Sequence, residues 1–194
     1  MPAAPMLAAV VPMKSMDLAK SRLATVLDSA GRHALARRML DHVLETLRQA
    51  GVASVRVASG DQGTGDLNAD VTAAASLVES EGATNLLLVM ADLPYLTAAD
   101  VTALIEAGRK SAVVIAEAKD GGTNALLLRP PTVLNFSFAT NRPSAATHGE
   151  EARKAGIEPL FLRRPGLARD IDTPQDFDSL VSDHPAYRVF RHVA

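Results

Sequence analysis

Leu86-Leu87-Leu88-Val89-Met90-Ala91-Asp92-Leu93-Pro94 is an unbroken apolar run closed by an acid and a turn. A half-exposed strand would alternate apolar with polar residues, so five consecutive apolar side chains fit a strand covered on both faces, as a central parallel strand is. In open α/β sheets ligands gather outside the carboxyl ends of the strands, and Asp92 stands at such an end. Asp92 reads equally as a cap for the turn before Pro94.

Outward from this run the pattern repeats. On the N-terminal side, Leu7-Ala8-Ala9-Val10-Val11 reads as a buried strand followed by a polar loop, Pro12 to Arg22. Leu35, Met39, Val43, Leu44 and Leu47 then recur at helical spacing between Gly31 and Ala50. Val52 to Ser59 alternates like a strand, and Ala69 to Glu81 reads as a helix stopped by Gly82. On the C-terminal side, Thr97-Ala98-Ala99-Asp100 opens a helix through Ala107 in the manner of a capping box. Strands are predicted over Ser111 to Ala116, Ala125 to Leu128 and Leu160 to Leu162, and a helix over Ser144 to Ala155. Thr173-Pro174-Gln175-Asp176 combines an N-cap, a first-turn proline and an acid. The tail after Asp183 carries no periodic signal. The alternation predicts one α/β domain over residues 1–194, a three-layer α/β/α sandwich with a mostly parallel central sheet.

Composition narrows the partners. The 194 residues are 47% apolar, and 22 acidic against 20 basic residues give a formal charge of -2, so a broad polyanion-binding face for nucleic acid is not expected. No cysteine is present, which removes disulfides, thiolate metal sites and cysteine nucleophiles. Met1 to Val11 is apolar, but it lacks a basic n-region and Lys14 interrupts it too early for a signal peptide or membrane span; a cytoplasmic protein is expected. With 4% aromatic residues and no Trp, a nucleobase must be held mainly by backbone and amide groups.

Three features carry candidate chemistry. In Arg169-Asp170-Ile171-Asp172-Thr173-Pro174, an extended backbone places Asp170 and Asp172 on one face and Ile171 on the other, a suitable clamp for an oxygen-seeking Mg2+. Taken alone, such an acidic pair is ordinarily a solvated surface feature. The loop Pro12 to Arg22 holds Lys14, Lys20 and Arg22 with Ser15 and Ser21, groups able to neutralise a triphosphate, yet it has neither the glycine-rich dinucleotide fingerprint nor a Walker loop. Asp120-Gly121-Gly122-Thr123-Asn124 permits close backbone approach and reads equally as a hairpin turn. His148, four residues after Ser144 on one helical face, reads as packing or an N-terminal helix contact rather than as catalysis. No Ser-His-Asp signature and no zinc-like histidine spacing is present.

In their joint order, several of these segments resemble the CofC/FbiD family of guanylyltransferases, which activate a small phospho-acid in the synthesis of coenzyme F-420. They are Val11-Pro12-Met13-Lys14, Ala19-Lys20-Ser21-Arg22-Leu23, Gly65-Asp66-Leu67-Asn68, Ala91-Asp92-Leu93-Pro94, Asp120 to Leu126, and Pro165 to Pro174. The resemblance spans nearly the whole chain. It implies a nucleotide-diphospho-sugar transferase-like fold of the GT-A type and an Mg2+-dependent enzyme that joins GMP from GTP to the acid with release of pyrophosphate. It further implies Asp92, Asp170 and Asp172 as metal ligands and Lys14 as a catalytic cation. Lys14, Thr123 and Ser144 are implied at the phospho-acid, and Lys20, Ser21, Arg22 and Asn68 at the nucleotide.

Two departures stand out. Phe136-Ser137-Phe138-Ala139-Thr140-Asn141-Arg142-Pro143-Ser144 lacks the family's Phe-x-Phe-Gly and the further glycine before the serine, and the stretch from Ser59 to Gly65 is short. The acceptor is left among 2-phospholactate, phosphoenolpyruvate and 3-phosphoglycerate, and a homodimer is left open. The competing readings are a molybdopterin-type or sugar-phosphate nucleotidyltransferase, which usually has a glycine-rich first loop, and a nucleotide-binding module without turnover.

Overall fold

The structure is a computed structural model describing residues 6–13, 20–59, 64–138 and 141–191. Lys14 and the Ala139-Thr140 part of the divergent loop lie outside the described residues. In chain order the elements are β1 (Leu7–Met13), α1 (Ser29–Gln49), β2 (Ser54–Ser59), α2 (Leu67–Ser80), β3 (Asn85–Val89), α3 (Ala98–Ala107) and β4 (Val113–Glu117). There follow β5 (Thr123–Leu128), α4 (Ser144–Lys154), β6 (Leu160–Leu162), α5 (Pro165–Ala168) and α6 (Pro174–Asp183). Short 3-10 turns occupy Ser21–Leu23 and Pro185–Phe190.

The strands form a six-stranded sheet in the order β2-β1-β3-β5-β4-β6. The pairings are parallel except that β5 runs antiparallel to both β3 and β4. The mostly parallel sheet expected from the sequence is therefore present, with β3 parallel to β1 on one side and antiparallel to β5 on the other.

Strand pleat sorts the apolar residues between two layers of core. Ala8, Val10, Leu86, Leu88, Val113, Ile115, Leu126 and Leu128 face the layer packed by α2 and α4. Ala9, Val11, Leu87, Val89, Val114, Ala116, Ala125 and Leu127 face the layer packed by α1 and α3. This is why the run Leu86 to Val89 has no polar member: its four residues are at most 1% exposed. A third apolar cluster joins Leu23 and Leu27, Leu35 and Met39 of α1, Ile171, and Phe177, Leu180 and Val181 of α6.

Capping boxes at Thr97 and Thr173 start α3 and α6 as their sequences predict. Two other helices begin about two residues earlier than the apolar stripe indicates. Asp28 and Asp66 cap them, accepting the backbone N–H of Gly31 at 2.6 Å and Asn68 at 2.9 Å. The four residues of α5 are too few to give a period, and Pro165 at its first position is the local signal it carries. Among the described residues no helix is long and apolar enough to cross a membrane.

α5 crosses the start of α3 at close range. A Cβ at Gly166 would lie 2.5 Å from the Tyr95 carbonyl oxygen and closer still to the Asp100 carboxylate. Asp100 cannot swing away, because it closes the Thr97 capping box and accepts from Arg164 Nε at 2.9 Å. Gly166→Ala is expected to lower the unfolding free energy by about 2 kcal/mol or more through this overpacking. Urea denaturation of the variant beside the parent measures the loss.

Candidate active site

The antiparallel run of β5 builds the site. Val89 of β3 pairs with Ala125, and the Met90 N–H donates to the Asn124 carbonyl at 2.9 Å, so the start of β5 lies beside the carboxyl end of β3. Between Ala116 and Glu117 the β4–β5 register shifts: Ala116 pairs with Ala125, but Glu117 pairs with Thr123. Regular alternation would send Thr123 to the side of Ala125 and Leu127, and Asn124 to that of Leu126 and Leu128. The extra residue reverses both, as a bulge does. Thr123 turns to α4, and Asn124 turns to the segment after β6. Gly121, at φ 84, makes the preceding turn, which is thus a hairpin. A cavity of about 650 Å3 opens here, lined by the ends of β1 and β3, Lys20 to Arg22, Thr123, Asn124, Ser144, Asp92, Asp170 and Asp172.

Asp92, Asp170 and Asp172 converge on one wall, each offering a carboxylate oxygen within 4.8 Å of the others. Ile171 is 1% exposed in the third apolar cluster. Its burial, worth about 2 kcal/mol, orients the acids on either side of it toward the cavity. Asn124, 5% exposed, fixes the backbone from the other direction. Its amide donates to the Leu167 carbonyl at 3.0 Å and to Asp170 Oδ1 at 3.3 Å. Burial, followed by the negative charge of Asp92, holds the Asp170 carboxyl above its ordinary pKa.

Lys20 lies across two of these acids. Its Nζ donates to Asp92 Oδ2 at 2.7 Å and to Asp172 Oδ1 at 2.9 Å. Burial would depress its pKa, but the two carboxylates outweigh burial and keep the ammonium above its ordinary value. Lys20 is the one non-glycine residue with positive φ among those described, at φ 54. Such a conformation costs energy and marks a position where the side chain must take one particular direction. Arg22, largely exposed, has a guanidinium nitrogen 3.6 Å from Asp172 Oδ2.

On the facing wall, the Ser144 hydroxyl donates to Thr123 Oγ1 at 3.0 Å, and His148 Nδ1 lies 3.1 Å from the same oxygen. His148 is fully buried, and its Nε2 accepts the Ser137 backbone N–H at 3.0 Å. Burial pushes His148 down to about 4, with the Glu151 charge opposing.

The structure thus gathers Asp92, Asp170, Asp172, Lys20, Ser21, Arg22, Thr123 and Ser144 at one cavity. Asn68 is placed differently. Its side chain clamps the Phe138 backbone, accepting from its N–H at 2.7 Å and donating to its carbonyl at 3.2 Å, while the neighbouring Leu67 lines the cavity. Asn124 and His148 are the site residues that sequence reasoning passed over. Asn124 stood inside a motif already singled out, whereas His148 offered only its helical spacing from Ser144.

The family described as "Guanylyl transferase CofC like" matches residues 7–186 of this chain. The chain belongs to the CofC-like guanylyl transferase family. It is similar to the phosphoenolpyruvate guanylyltransferase of Rubrobacter xylanophilus, 39% identical over 89% of this chain and 92% of the relative. The enzyme of the same name from Sphaerobacter thermophilus is 37% identical over 91% and 93%. Among solved structures, one from Desulfovibrio desulfuricans G20, assigned as a putative nucleotide-diphospho-sugar transferase, superposes with a TM-score of 0.74 at 18% identity, covering 95% of this chain and 91% of that one. A manganese complex of a Mycobacterium tuberculosis H37Rv protein gives 0.52 at 14% identity over 91% and 98%. The CofC-like chain therefore has the nucleotide-diphospho-sugar transferase-like fold that its sequence resemblance implies.

The buried histidine of this CofC-like protein makes its stability depend on pH. A histidine titrating near 6.5 when unfolded and about 4 when folded adds stability that is complete above 6.5 and falls as the pH drops from there toward 4. The full loss attributable to His148 is about 3 kcal/mol. Urea unfolding at several pH values in that window should show a steeper decline for the parent than for His148→Asn, and equal slopes would exclude the assignment.

Proposed function

We propose that this chain transfers GMP from GTP to a small phosphorylated acid, phosphoenolpyruvate foremost, with release of pyrophosphate in the biosynthesis of coenzyme F-420. The observation that carries the reading is the pairing, across one cavity, of a three-carboxylate wall with a hydroxyl wall built from Thr123 and Ser144. The names of the Rubrobacter and Sphaerobacter relatives favour phosphoenolpyruvate over 2-phospholactate and 3-phosphoglycerate.

The donor set of Asp92, Asp170 and Asp172 consists of hard anionic oxygens and no nitrogen or sulfur, which suits Mg2+ or Mn2+. Their oxygens lie close enough together that Asp92, Asp170 and Asp172 would hold one such ion between them. A divalent cation held there supplies charge neutralisation to the triphosphate. An oxygen of the acceptor phosphate bonds to the α-phosphorus of GTP. The bond from that phosphorus to the bridging oxygen breaks in line, and pyrophosphate leaves with the electron pair. Both reactants are anions, so catalysis lies in positioning and neutralising charge. Lys20 and Arg22 contribute positive charge beside the carboxylates, and the Thr123 and Ser144 hydroxyls orient the acceptor. Lys14 is proposed at the phospho-acid, and no covalent enzyme intermediate is required.

A pyrophosphate-release assay crossing the three acids with GTP, ATP and CTP tests the reading; release with GTP and phosphoenolpyruvate in the presence of Mg2+ or Mn2+ is expected. No release with any combination would favour a binding module. Asp170→Asn and Asp172→Asn should each lower kcat about 100-fold or more while the fold is kept, because charge stabilisation of this kind is lost. Near-normal turnover of either variant counts against the metal assignment. Lys14→Ala should raise KM for the phospho-acid and leave KM for GTP unchanged in a steady-state assay with each substrate varied in turn.

A further inference from the structure

His148 lies between a group that can only donate and a group that can do either. The Ser137 backbone N–H, 3.0 Å from Nε2, cannot accept, so Nε2 must be the unprotonated ring nitrogen. The neutral ring therefore carries its proton on Nδ1, which donates to Thr123 Oγ1 at 3.1 Å. Thr123 and Ser144 together hold two hydroxyl protons, and one lies between their oxygens at 3.0 Å. With the ring already donating, the second proton has no acceptor on the protein among the described residues. Both residues line the cavity, and it is there that this proton is left to point. The opposite tautomer would draw a hydroxyl proton back to the ring and present lone pairs to an incoming anion. The ring is also fixed by the Phe138 side chain, edge-on with centroids 4.8 Å apart.

We infer that His148 is a positioning residue for the acceptor: held as the Nδ1–H tautomer by the Ser137 amide, it sets the polarity of the Thr123–Ser144 pair so that the pair donates to an anionic oxygen of the phospho-acid. This rests on the reading that Thr123 and Ser144 face the acceptor. His148 touches neither substrate and acts through Thr123.

Two isosteric substitutions separate the ring's two roles. His148→Asn can place an amide N–H near the Nδ1 position and keep the donor to Thr123, whereas His148→Gln reaches the Nε2 position and serves only Ser137. With the full chain and saturating GTP, His148→Gln should raise KM for phosphoenolpyruvate about tenfold, the effect of one lost charge-assisted hydrogen bond, with KM for GTP unchanged and with His148→Asn restoring most of the loss. Equal KM values for folded Asn and Gln variants, or equal rises for both substrates, would overturn the inference. Should the Gln variant fail to fold, nitrogen-15 NMR of the parent decides through the His148 ring: protonation at Nδ1 is expected, and protonation at Nε2 sinks the proposal. Thr123→Val distinguishes this failure from that of the underlying reading. If it leaves KM for phosphoenolpyruvate unchanged, the acceptor site itself is misassigned. A rise with Thr123→Val but none with His148→Gln removes His148 alone.

Discussion

Three carboxylates held within 4.8 Å of one another repel. At the effective dielectric of a protein surface each such pair costs about 3 kcal/mol, and that cost must be met by groups elsewhere in the fold. Ile171 meets part of it by burying itself between α1 and α6, since the acids beside it cannot turn away without exposing that side chain. Asn124 adds a buried amide that grips both the backbone and Asp170. Lys20 brings an opposite charge to Asp92 and Asp172 through a strained backbone. The segment is tethered at its other end as well, where the Arg169 guanidinium stacks 3.8 Å above the Tyr95 ring and bonds to Asp183. The acidic wall is an electrostatically costly arrangement stabilised by packing and by the Lys20 ammonium.

How much of this was legible in the sequence depended on the range of the interaction. The pair flanking Ile171 could be read because pleat is a local property: alternation over three residues fixes which face each side chain takes. The run ending in Asp92 was equally plain, since a strand buried on both faces leaves an unbroken apolar signature. Thr97 and Thr173 announced their helices through the acid three residues on.

The rest is set by partners distant in the chain. Asn124 meets Leu167 and Asp170 only because β5 runs against β3, and nothing near residue 124 encodes that direction. His148 matters through Ser137 and Thr123, which a helical period cannot reveal. Asn68, read by resemblance as a nucleotide contact, holds the Phe138 backbone seventy residues away. That clamp ties the start of α2 to the divergent loop before α4, two segments that both line the cavity through Leu67 and Phe138.

The register shift in the β4–β5 hairpin has a consequence for how this site can vary. Thr123 and Asn124 are neighbours in the chain yet serve opposite walls, and the one surplus residue decides which wall each receives. At the tip Gly121 is held to glycine by its positive φ, and the length of the tip is constrained by parity. Removing a single residue would exchange the two stations, whereas adding or removing two would preserve them. Descendants of this architecture should therefore tolerate changes to the hairpin tip in even steps.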